Sequence, residues 1–173
     1  MTPNGPQIRY IVRAGRSDDV TGVDTLLARA FPRLLKSDYP PSVMVTAVPL
    51  ISRAQPALVT CGTYYVAETE DGAILGCGGW TLRNSATGRS GGRTGSIRHF
   101  ATDPDHTRQG IAAALMARVI LDATDAGMTG LDCLSTRTAV PFYAAQGFDV
   151  RGEAEIALSD GIAFPVILMY RPI

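Results

Sequence analysis

The stretch with the most chemical content covers residues 97–118, IRHFATDPDHTRQGIAAALMAR. A strand breaks at Asp103-Pro104 and turns. The chain then enters a helix through Thr107, Arg108, Gln109, Gly110, Ile111, Ala112 and Ala113. Small side chains at 110, 112, 113 and 114 leave the first turn nearly bare. First-turn N–H groups lack partners inside a helix, and the helix dipole adds partial positive charge there. Such an end takes phosphate or pyrophosphate, with Gly110 letting the backbone approach and Arg108 adding a full charge. An amphipathic helix whose small residues pack on a sheet explains this stretch equally well by itself.

A second segment covers residues 135–148, STRTAVPFYAAQGF, and puts Tyr143 in the middle of a short helix stopped by Gly147. A phenol there either packs or hands a proton to a leaving group. Proton acceptors are His99, on the strand of the first segment, His106 in its turn, and Glu68 at the end of an earlier strand. Histidine titrates in the right range for a base, though strand alternation also allows His99 to point into the core.

Other chemistries lose support on composition and spacing. Of 16 Lys and Arg residues only Lys36 is a lysine, and no glycine precedes it in RLLKSDYP. That removes a P-loop and leaves kinase or Schiff-base lysine chemistry without a candidate. Cys61, Cys77 and Cys133 stand singly, and His99 and His106 form no HExxH pattern, so no metal site is expected. The thiols read as reduced core residues, and nothing nearby would lower the pKa of Cys77. Gly88-Arg89-Ser90-Gly91-Gly92 spells a nucleophile elbow but lacks the flanking strand and helix, which discounts a hydrolase. Gly76, Gly78 and Gly79 lie within a strand and suggest close packing or a bulge. Basic and acidic residues number 16 each, so no positive field exists for nucleic acid or a membrane surface.

The elements that must position these residues follow from periodicity. A chain of 173 residues, 46% hydrophobic and 18% charged, suits one well-filled domain. Residues 8–13 form a strand. Residues 18–30 form a helix capped by Ser17 or Asp18 and ended by Pro32, and 42–51 a second helix with Ser42 as cap. Strands 63–68 and 73–82 make a hairpin, followed by a loop over 83–94 and a strand over 95–102. A helix over 108–126, a strand over 131–135 and a short helix over 138–146 come next. Strands 148–158 and 162–171 close the chain across a turn at 159–161. The order β-α-α-β-β-β-α-β-α-β-β predicts an α/β (α+β) fold, a mixed and largely antiparallel sheet flanked by helices. One domain over 8–173 would follow a loose arm, 1–7. Neither a signal-peptide layout nor a transmembrane run is present, so the expected location is cytoplasmic.

Together the two segments resemble the GCN5-related N-acetyltransferase (GNAT) superfamily. Its acetyl-CoA motif, Gln/Arg-x-x-Gly-x-Gly/Ala, is matched at Gly110 and Ala112 and departs at Thr107. Its Ala-x-x-x-Tyr-x-x-x-Gly-Phe pattern is matched at Ala139, Tyr143, Gly147 and Phe148. The element order agrees as well. The resemblance implies pantetheine along Phe100, Ala101 and Thr102, and pyrophosphate on the backbone N–H groups from Arg108 through Gln109, Gly110, Ile111 and Ala112 to Ala113, with Thr107 as a further cofactor-binding residue. It further implies that Thr136, Ala139 and Phe142 complete the cofactor wall. An amine would attack acetyl-CoA directly, a backbone N–H near Ala101 would hold the oxyanion, and Tyr143 would protonate the departing thiolate. The family's usual carboxylate position falls on Ser96, which leaves His99, Glu68, His106 or a water chain as base. The acceptor, a small-molecule or peptide amine, would enter over residues 33–56 and 159–164. Tyr39, Tyr64 and Trp80 would serve as walls there, with Asp38 to attract a cation. No nucleic acid, membrane or metal is implied, and the closing hairpin is compatible with a homodimer. A non-catalytic acyl-CoA sensor on the same scaffold is the alternative.

Overall fold

The computed structural model describes residues 7–83 and 93–173; the Gly88–Gly92 motif and residues 1–6 lie outside the described residues. Its strands are β1 (Tyr10–Ala14), β2 (Tyr64–Thr69), β3 (Ile74–Leu82), β4 (Thr94–Thr102), β5 (Gly130–Ser135), β6 (Asp149–Ala157) and β7 (Ala163–Pro172). Its helices are α1 (Val20–Leu35), α2 (Pro41–Thr46), α3 (Val48–Ile51), α4 (Pro56–Val59), α5 (Ile111–Asp125) and α6 (Val140–Ala145). The seven strands form one mixed sheet in the order β1-β2-β3-β4-β5-β7-β6. Every pairing is antiparallel except β4 with β5.

Two helical layers cover the sheet. On one face α1 buries Val23, Leu26, Leu27, Ala30 and Leu35 against Val66, Cys77 and Ala101 of the strands. On the other, Ile111, Leu115, Met116 and Val119 of α5 pack with Leu131, Cys133 and Tyr143. Leu115 is fully enclosed, so trimming it to Ala should cost about 2–5 kcal/mol through lost contact and a cavity.

The helical boundaries depart from the periodicity in three places. Pro32 does not end α1, which runs on to Leu35. Burial of Phe31 and Leu35 on the same face outweighs the hydrogen bond that proline removes. The helix expected over 42–51 is instead α2 and α3, started by Pro40-Pro41 and by Pro49, with α4 added after them. Proline suits a first turn, where its missing N–H would be unpaired anyway. Finally, α5 begins at Ile111 rather than 108, because Arg108 (φ 59°) and Gly110 (φ 81°) are left-handed.

Candidate active site

The site grows from a fault line in the sheet. β4 and β5 share only the rungs Thr94↔Gly130, Gly95↔Leu131 and Ser96↔Asp132. Past Ser96, β4 stays with β3 and β5 stays with β7, so the two strands diverge. Among the described residues, 97–102 of β4 have no strand partner on the β5 side. An extended ligand can therefore pair with this backbone as an added strand.

A bulge sits on the open stretch. The β3–β4 register passes from Cys77↔Ala101 to Gly79↔Arg98, leaving His99 and Phe100 opposite Gly78. His99 takes φ 48°, a conformation that side chains rarely adopt. Its carbonyl accepts the Tyr64 hydroxyl at 3.2 Å and the Cys77 thiol at 3.6 Å, which holds the bulge from below. Gly78 is required there, since a Cβ would lie 2.4 Å from the Phe100 ring. The clustered glycines of β3 are thus packing residues. Burial pushes the Cys77 thiol up to about 12, and a protonated thiol is a poor nucleophile.

Beyond Thr102 the chain turns through Pro104–His106 toward α5. Asp103 fixes it, accepting the Asp105 N–H at 2.8 Å and Arg29 of α1 at 2.8 Å. Thr107, Arg108, Gln109 and Gly110 are all exposed. Left-handed residues at 108 and 110 bend the backbone just before α5, and left-handed turns of this kind are a common element of anion-binding nests. No side chain caps α5, whose first backbone bond inside the helix runs from the Ala114 N–H to the Gly110 carbonyl. The N–H groups of Ile111, Ala112 and Ala113 are left for a ligand. The Ile111 side chain itself is core, packed against Gly76.

Across the opening stands an aromatic group. The Phe100 ring lies 6.4 Å from that of Phe142 and 6.3 Å from that of Tyr143, so β4 and α6 meet through these rings. Ala139 is the N-cap of α6, and the Thr136 hydroxyl accepts the Ala139 N–H at 3.2 Å. Thr136 thus caps the turn into α6. Tyr143 is buried beside the Cys133 thiol, and burial together with that thiol holds the phenol well above its ordinary pKa. The phenol stays protonated throughout the neutral range.

The three possible bases end up apart. His99 lies at the bulge, its ring 6.4 Å from Phe31 of α1, with burial and Arg98 lowering its pKa below the usual 6.5. It is neutral at pH 7. Glu68 is separated from β4 by β3, and Arg13 holds it at 2.7 Å, keeping the carboxylate pKa low. His106 packs 3.2 Å from Asp103 on a cleft of about 700 Å³ between α1 and β3, away from the β4–β5 opening. Only His99 is brought to the fault line.

Two of the expected acceptor walls are core instead. Tyr64 is fully buried, and Trp80 faces α5, donating to Asp122 at 2.8 Å. Aromatic content alone could not reveal which face of the sheet they would join. Tyr39 stacks on Phe164 at 4.8 Å and donates to the Pro165 carbonyl at 2.8 Å. Asp38 accepts the Thr138 hydroxyl at 2.6 Å, so this corner is bolted to the loop before α6. Sequence reasoning passed over Asp132 and Arg98. The signal was available: a lone acid inside the apolar run LDCLS, and a charge two residues after Ser96 on the same strand face.

The model of the acetyltransferase (GNAT) domain matches residues 60–150, more than half of the chain. The chain belongs to the GNAT acetyltransferase family. No curated protein matches it in sequence. Its fold is similar to that of a GCN5-related N-acetyltransferase from Rhodopseudomonas palustris, with TM-score 0.76, 14% identity, and coverage of 98% of this chain and 99% of that one. The PaiA N-acetyltransferase of Thermoplasma acidophilum, solved with coenzyme A, gives TM-score 0.71 at 10% identity over 96% and 100%. N-acetylglutamate synthase from Neisseria gonorrhoeae, bound to coenzyme A and N-acetylglutamate, gives 0.60 at 17% over 97% and 36%. Identities this low make these likenesses of fold. As a member of the GNAT acetyltransferase family the chain is an acyltransferase. Among the described residues no His, Cys, Asp and Glu cluster could hold a metal ion, and no helix is long and apolar enough to cross a membrane.

Proposed function

We propose that this GNAT chain transfers an acetyl group from acetyl-CoA to the nitrogen of a small or peptide amine by direct attack, within one domain spanning 8–173. The observation that carries the reading is the opening between β4 and β5, which runs without interruption into the left-handed turn at Arg108 and Gly110. Pantetheine lies along Phe100, Ala101 and Thr102, hydrogen-bonding the free backbone edge. The pyrophosphate sits on N–H groups from Thr107 to Ala113, where Arg108 and Gln109 can reach it and Thr107 replaces the family's longer residue.

The neutral amine adds to the thioester carbonyl, forming the C–N bond as the oxyanion gathers on a backbone N–H near Ala101. Collapse breaks the C–S bond, and the Tyr143 hydroxyl supplies a proton to the leaving thiolate. The nitrogen loses its proton to neutral His99 or to water beside it. Phe142, Ala139 and Thr136 shape the wall that holds the thioester against Tyr143. The setting proposed is the cytoplasm, with free acceptors and no metal.

Thiol release from acetyl-CoA over an amine panel, after coenzyme A binding is established by calorimetry, tests this directly. Release that depends on an amine supports transfer. Binding without release on any acceptor supports an acyl-CoA sensor instead, and absence of binding overturns both.

A further inference from the structure

We infer that Arg98 binds the carboxylate of the acceptor, so that the substrate is a small amine carrying a carboxylate, an α-amino acid in the simplest case. The inference rests on the transfer reading above. Arg98 lies two residues past Ser96, the last β4 residue paired with β5, and therefore at the apex of the opening. Strand alternation puts it on the same sheet face as Ser96 and Asp132, opposite Ile97 and Leu131, which pack toward α5. That face is the one α1 covers, and it also holds the His99 ring.

The guanidinium is half-buried and poorly satisfied. Its hydrogen bond is to the Thr81 hydroxyl at 3.3 Å, and among the described residues no carboxylate lies within ion-pair distance of it. Residues 1–6 and 84–92 contain no Asp or Glu, so they cannot supply one. The acid nearest in register, Asp132, is occupied by Arg83 at 2.7 Å and Ser96 at 2.6 Å. Arg13 makes the contrast, since it too is part-buried and holds two carboxylates. A guanidinium partly withdrawn from water, with five donors and one weak side-chain partner among the described residues, favours a planar anion that accepts two of them at once. Across the opening Leu134, two residues beyond Asp132 on that face, leaves half its surface exposed and offers an apolar contact for the acceptor's carbon skeleton.

The test uses amines matched except for the α-carboxylate, such as arginine with agmatine and phenylalanine with phenethylamine. In the full chain, kcat/KM for the carboxylated member should exceed that of its partner by roughly 10- to 1000-fold. In Arg98→Met that ratio should collapse toward one, and Arg98→Lys should restore part of it. Calorimetric binding of coenzyme A to the variants reports that they are folded. Release with both members at equal kcat/KM overturns the assignment while the transfer reading stands. Equally fatal is an Arg98→Met variant with weakened coenzyme A binding and an unchanged ratio, which would place the cation on the cofactor. Release from no amine at all overturns the transfer reading and this inference with it.

Discussion

Ser96 Oγ donates to Asp132 Oδ1 at 2.6 Å across the last rung between β4 and β5. This bond closes the parallel pair at the point where the strands part. Asp132 is buried and also accepts Arg83, so its two oxygens tie β4 and β5 to the residue that follows β3. Removing the carboxylate should loosen the apex of the opening. Asp132→Ala should lower stability by about 1–3 kcal/mol, because the Ser96 hydroxyl loses its partner in a sheltered place. Arg83 is mostly solvent-exposed, and its share of that loss is small. Urea unfolding checks the figure, and an unchanged midpoint would show that water replaces the carboxylate without cost.

Tyr143→Phe keeps the ring packed among Phe100, Phe142 and Phe148 while deleting the hydroxyl beside Cys133. Turnover should fall by about 10- to 1000-fold with little change in acetyl-CoA affinity. Steady-state kinetics with calorimetry separates the two effects. Full turnover would leave Tyr143 a packing residue.

Gly110→Ala should act through the backbone. A Cβ at Gly110 meets nothing within 4 Å, but φ 81° strains any side chain. The expected cost is about 1 kcal/mol of stability. Relief of that strain would rotate the N–H groups entering α5, so coenzyme A affinity should fall as well. Thermal denaturation and titration calorimetry measure both, and unaltered affinity would argue against pyrophosphate at this turn.

His99 should make the protein lose stability in mild acid. Burial and Arg98 keep its folded pKa below the ordinary 6.5. The unfolded chain binds a proton there before the native state does, so unfolding takes up a proton as pH falls. This contribution is absent well above 6.5 and grows as pH drops from 6.5 toward the folded value. His99→Gln should show a smaller loss of stability between pH 7 and pH 5.5, read from urea midpoints. The same variant tests the base: a pH–rate profile that keeps the wild-type acid limb would remove His99 from that role.

Much of the fold was legible along the chain because local interactions write it there. Short apolar runs over residues 63–68 and 73–82 anticipated β2 and β3 to within one residue at each end. Gly127 and Gly147, both left-handed, stop α5 and α6 as expected of C-terminal glycines. The prolines between 32 and 56 misled, because a proline's effect depends on what the rest of its helix buries. Phe31 and Leu35 carried α1 past Pro32, a tertiary gain that no local rule contains.

The amino-acid order by itself determined the strands, the bare entrance to α5 and the Tyr143 helix, since each depends on contacts within about one turn or one hairpin. It also left a P-loop without its lysine. Where β4 leaves β5 was decided only in the tertiary structure. That point depends on the competition of β3 and β7 for the two strands, between residues distant in sequence. The same long-range pairing turned Tyr64 and Trp80 inward, withdrew Glu68 to Arg13, and satisfied Asp132 through Arg83. It left the charge of Arg98 uncompensated beside the opening. A zero net charge says only that carboxylates and cations are equal in number; folding alone assigns each to a partner, and among the described residues the part-buried Arg98 was left without a carboxylate.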